Sequence, residues 1–141
     1  MATSTLTQLE IKNALVKAKL TADPTLVEYG DHVDNVALNT TSTTALFKAV
    51  SGNSKATLGD PDETIVLNIA QSLKAGSLWM FLRASHGKQG TVEISPKGGT
   101  APKITADVTF QAPGTLGGAV GGGVSGATIL VHGMATITPE P

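Results

Sequence analysis

Glu63-Thr-Ile-Val-Leu-Asn-Ile69, then Lys74-Ala-Gly-Ser-Leu-Trp-Met-Phe-Leu-Arg-Ala-Ser85, then Thr91-Val-Glu-Ile-Ser95 read as strand, helix, strand. In the first segment Ile65, Leu67 and Ile69 share one face, and Thr64, Val66 and Asn68 the other, which is the period of a half-buried strand. The period then lengthens. Leu78, Phe81 and Leu82 stand at i, i+3 and i+4, with Ala75 and Trp79 widening the stripe, and this is helical spacing. Ser72 offers an N-cap and Gly87 a left-handed stop, so the spacing predicts a helix of about three turns over 74–86. Val92 and Ile94 restore alternation. Leu78, Trp79, Phe81 and Leu82 include the only Trp and one of only three Phe in the chain, so this unit is expected to seed the core.

Outward from it, 103–112 alternates cleanly, with Ile104, Ala106, Val108 and Phe110 on the inner side. Residues 13–20 alternate as well, with Ala14, Val16, Ala18 and Leu20 opposite Lys17 and Lys19. An amphipathic helix over 9–19 is the alternative there, because Ala, Leu and Lys favour helices. Segments 32–40 and 44–50 read as a hairpin, and 51–62, rich in Ser, Gly, Asn and Pro, as a long loop. Residues 113–126 are about half glycine, and 127–138 read as a closing strand. The fold expected is mainly β, a sandwich or barrel of about six or more strands with one packed helix. It is organised as an N-terminal arm (1–8), one domain (9–138) and a short tail (139–141).

Composition narrows the function. The 141 residues carry a net charge of −1 with 15% charged residues, which lacks the basic excess of a free-standing nucleic-acid binder. Cysteine is absent, excluding disulfides, thiolate metal sites and a cysteine nucleophile. The first residues lack the basic and apolar regions of a secretion signal, and no apolar run approaches the roughly 18 residues of a membrane span. Synthesis in the cytoplasm is the expectation.

Several patterns invite chemistry. Gly121-x-Gly123-x-x-Gly126 matches the dinucleotide fingerprint, but it leads into the strand-like Ala127-Thr-Ile-Leu-Val131, where the motif requires a helix. Asp60, Asp62 and Glu63 are interrupted by Pro61 and lack the spacing of a calcium loop. His32, His86 and His132 fall in different elements without metal-ligand spacing. Ser77 and Ser85 near His86 lack a nucleophile elbow, so capping is the simpler role. Asn39-Thr-Thr41 fits the glycosylation triplet, which carries no weight without a secretion signal. No catalytic, cofactor-binding or metal residue is expected, and no enzyme.

The order of parts resembles the major tail tube proteins of long-tailed bacteriophages over roughly 33–138. Ser77-Leu78, Phe81-Leu82 and Gly87 match that family's helix and Gly-turn, and Gly117-Gly118 its late glycine pair. The chain departs from the family in its few aromatics and in its glycine-heavy 116–126 loop. The resemblance implies a structural virion protein of the tail, made in the host cytoplasm. Six subunits would close a ring through sheet edges, rings would stack into a tube with other tail proteins, and DNA would pass through the lumen without specific binding. The many glycines of 113–126 make ordering that loop costly, so Leu116, Val120 and Val124, its only apolar side chains of any size, are expected to contact neighbouring subunits, and neighbours are expected to order the polar arm and tail, which lack an apolar anchor. The alternative is a capsid-decorating or adhesin-like β module, which needs no ring. A small-ligand barrel is disfavoured by the 4% aromatic content.

Overall fold

The alternating segments pair into a sheet whose strand order departs from chain order. The computed structural model describes residues 3–99, 101–118 and 120–140. Its strands are β1 (Leu15–Leu20), β2 (Val27–Glu28), β3 (Val33–Thr41), β4 (Thr44–Lys48), β5 (Ser54–Leu58), β6 (Asp62–Ala70), β7 (Gln89–Ser95), β8 (Lys103–Thr109), β9 (Val124–Val131) and β10 (Thr136–Thr138). Helix α1 (Leu78–Ala84) lies between β6 and β7, and a 3₁₀ turn spans Gly30–His32. Eight strands make one antiparallel sheet in the order β2-β1-β7-β8-β9-β6-β3, with β10 also on β8, while β4 and β5 form a separate hairpin. Mainly β with one helix among the described residues, this is the fold class expected.

The sheet has a seam. β8 meets β9 only at Val108 and Thr109, whereas β9 pairs with β6 along seven positions, 124–130. β10 then takes the next part of β8, Thr136 opposite Thr105 through Thr138 opposite Lys103. The last strand expected over 127–138 is therefore two strands separated by 132–135, where Gly133 has φ +70°. Such an insertion re-aims a strand from one half of a sheet to the other. Buried Glu63 holds it there: one carboxylate oxygen accepts from the Ala135 N–H at 2.5 Å, the other from the Thr40 hydroxyl at 2.7 Å.

The two halves share one core. Val16 and Ala18 of β1, Val92 and Ile94 of β7, and Ala106 and Val108 of β8 pack in one cluster with Ile65, Leu67 and Ile69 of β6 and Ala127 and Ile129 of β9. Helix α1 plugs one side of it. Leu78, Trp79 and Leu82 are buried, while Phe81 is half-buried and packs edge-on against Phe110 at 5.1 Å and near Tyr29 at 5.7 Å.

Three further expectations are corrected, and one alternative falls. The helix is shorter than 74–86, because Gly76 at φ +86° breaks the chain before it; Ser77 rather than Ser72 is the N-cap, its hydroxyl accepting from the Met80 N–H. Gly87 does take a left-handed φ of +80°, beyond the C-cap Ser85. Segments 32–40 and 44–50 are not a hairpin: β3 pairs with β6 and β4 with β5. The loop expected at 51–62 contains β5, whose side chains are all exposed and so show no apolar period. The helical alternative for 9–19 is overturned by β1, which pairs with β7 along six positions.

Candidate assembly surface

Elements that bury nothing in their own chain point to contacts elsewhere. Every residue of β4 and β5 is exposed, including Leu46 (62%), Phe47 (68%) and Leu58 (74%), and Val50 at the hairpin's turn is fully exposed. The turn is built by Gly52 at φ +95° and by the Ala49 N–H donating to the Asn53 carbonyl. At its base the Gly59 N–H donates to the Thr43 carbonyl at 2.7 Å. A two-stranded hairpin is marginal alone in water, and exposed apolar side chains of this size on it mark a candidate contact surface.

β3 carries the second unpartnered feature. Among the described residues it pairs only with β6, leaving its other edge without a strand. Near its start Val33 opposes Ile69 but Asn35 opposes Asn68, so Asp34 is an extra, bulged residue. The bulge also explains why Val33 and Val36, three apart, are both half-buried. Between this end of β3 and β1 runs a groove of about 630 Å³ lined by Ile11, Val33 and Val36 with Glu28, Asp31 and Asp34. An adjoining apolar gap of about 380 Å³ lies between β3 and β7, lined by Leu9, Ile11, Val36, Leu38, Ile94 and Ile104. Glu28 is partly spent on the fold, its carboxylate accepting from the N–H groups of Val16 and Gly30.

The arm passes this region. From residue 3 to residue 12 it forms neither helix nor strand and is exposed, with Leu6, Leu9 and Ile11 open to solvent, until the Lys12 N–H donates to the Pro96 carbonyl at 2.9 Å. Met1 and Ala2 of the arm, and Pro141 of the tail, lie outside the described residues.

The glycine loop is better held than its composition predicts. The Gln71 side chain accepts from the Gly117 N–H and donates to the carbonyls of Gly117 and Val124. Ser125 donates to the Thr115 carbonyl at 2.9 Å, and the Trp79 indole N–H reaches the same oxygen at 3.3 Å. Both shoulders are thus tied to the body without a neighbour, contrary to a loop fixed only from outside. Leu116 and Val124 are about half exposed and Val120 fully so. Gly126 lies inside β9, which removes the phosphate-loop geometry of the glycine motif.

Fold comparison locates this arrangement among solved structures. The chain superposes on a chain of the anti-feeding prophage (AFP) baseplate. The TM-score is 0.65 with 12% identity, covering 99% of this chain and 98% of that one, in a cryo-electron microscopy structure symmetrised six-fold. No family model matches the sequence, and no curated protein does. At this identity the likeness is one of fold.

The hairpin and groove are the features sequence reasoning missed. The only signal was compositional: 43–59 holds Leu46, Phe47, Val50 and Leu58 with Lys48 and Lys55 and no acid.

Proposed function

We propose that this chain is a structural subunit of a phage-tail-like particle, whose copies close into rings, six to a ring, that stack as a tail tube. The reading is carried by the solvent-exposed apolar hairpin, on a fold shared end to end with a chain of a six-fold symmetrised baseplate. Its partners are copies of itself and other tail proteins. DNA passes through the lumen without base contacts, since a chain of net charge −1 offers little to phosphates. No catalysis, cofactor or metal belongs to this role, and its location is the virion tail.

Negative-stain microscopy of the purified chain at increasing concentration tests the reading. Rings or tubes are expected. Discrete monomers at high concentration would overturn it in favour of a decorating or adhesin-like module. Within the same reading, Leu116, Val120 and Val124 contact a neighbouring subunit. Replacing Val120 and Val124 by Asp is then expected to reduce assembly while the melting temperature stays unchanged, and ATP or NAD is expected to have no effect.

A further inference from the structure

Gln71, the first residue beyond β6, holds the glycine loop on both of its sides. Its backbone N–H donates to the Gly123 carbonyl at 2.9 Å. Its side-chain Oε1 accepts from the Gly117 N–H at 2.8 Å, while Nε2 donates to the carbonyls of Gly117 at 3.2 Å and Val124 at 3.0 Å. A primary amide has an acceptor oxygen and two protons to give, and these three bonds use all of them on one loop.

Gly123 is what lets the amide in. A Cβ there would lie 2.8 Å from Gln71 Oε1 and 3.0 Å from its Cδ, so a larger residue displaces the side chain from its partners. One residue earlier, a Cβ at Gly122 would meet nothing within 4 Å. With residues 117 and 124 fastened, 118–122 is the tip, and Val120 on it is fully exposed. A partner then has five residues to order in place of the fourteen of 113–126, so less conformational entropy is lost on contact.

Resting on the reading that Val120 and Val124 contact a neighbouring subunit, we propose that Gln71 is the positioning residue of that contact. Its amide clamps the loop in the free chain, and the tip is presented ready-made rather than ordered at the moment of association. Gln71 touches no partner itself and acts through the loop it closes.

Four single variants test this. Deuterium uptake of 113–126 in dilute protein reads the clamp, sedimentation across a concentration series reads assembly, and thermal melting checks folding. Gln71→Leu removes all three side-chain bonds, and Gly123→Ala leaves Gln71 in place but crowds it out. Both are expected to speed uptake about tenfold or more and to raise the concentration needed for assembly by about tenfold, with the melting temperature little changed. Gly122→Ala is expected to match the wild type in both. Gln71→Glu adds a signature that a merely structural side chain would not give. Its carboxylate still accepts from the Gly117 N–H but has no proton for the two carbonyls. Protonation returns one donor, so protection relative to wild type at the same pH is expected to recover as the pH falls through about 4.3. The groups that bond residue 71 are backbone amides and carbonyls, which do not titrate, so wild type and Gln71→Leu are expected to show no such step. Unchanged uptake in Gln71→Leu and Gly123→Ala would overturn the clamp. Faster uptake with wild-type assembly would overturn the positioning role while leaving self-assembly intact. A wild-type chain that stays monomeric would overturn the assembly reading and the contact with it, and the uptake results would still decide the clamp.

Discussion

Gly90 is a glycine because a Cβ there would overlap the Lys19 carbonyl oxygen of β1 and the Phe110 ring. Gly126, in β9, has open space around its would-be Cβ. Gly90→Ala should therefore cost about 1–3 kcal/mol through overpacking, lowering the melting temperature by several degrees, while Gly126→Ala should change it little. Equal melting of the two variants would contradict the crowding at β7. Tyr29 offers a second measurement at this scale. Its burial, and secondarily the negative charge of Asp23, raise its pKa above the ordinary 10.0. It is the only tyrosine, so the phenolate absorbance of the native protein reports it alone, and the midpoint is expected above 10.0. The folded-state value being the higher one, this group leaves stability unchanged below about pH 10. As pH rises through the unfolded value toward the folded one, the unfolded chain loses its proton first and stability falls.

At the scale of elements, α1 rests on its apolar face and its cap. Leu82 is fully buried, so Leu82→Ala should cost about 2–5 kcal/mol, measured by urea unfolding. Half-buried Phe81 should lose less, through its contacts with Tyr29 and Phe110. Ser77→Ala should cost about 1 kcal/mol as a lost cap. Glu63→Ala should cost about 1–3 kcal/mol, because it leaves the Ala135 N–H and the Thr40 hydroxyl without their acceptor at the bend between β9 and β10. β6, β7, β8 and α1 were legible in the sequence because each buries one side, and burial writes itself as a period of two or 3.6. β5 buries nothing and left no period to read. The pairing of β3 with β6 was equally hidden, since proximity along the chain favours β3 with β4 and only the exposed hairpin between them lets β3 reach β6. The bulge at Asp34 put Val33 and Val36 out of phase for the same reason: a single inserted residue leaves composition untouched.

For the whole molecule, the proposed assembly contacts and the fold are separable. The arm makes no described backbone bond to the body before Lys12. Deleting residues 2–8 is expected to leave thermal unfolding unchanged and to weaken assembly, with sedimentation as the readout. Normal assembly by that variant would remove the arm from the interface. The core helix was visible in the sequence, but the exposed apolar hairpin was not, because an element that buries nothing in its own chain leaves no period to read. Trp79 joins these two levels. Its ring is buried against the core while its indole N–H holds the Thr115 carbonyl at the shoulder of the glycine loop. As the sole tryptophan, it makes the chain its own fluorescent probe. A loop that pulls away when copies associate would shift the emission without any unfolding, whereas a loop that stays seated would leave the spectrum unchanged through assembly.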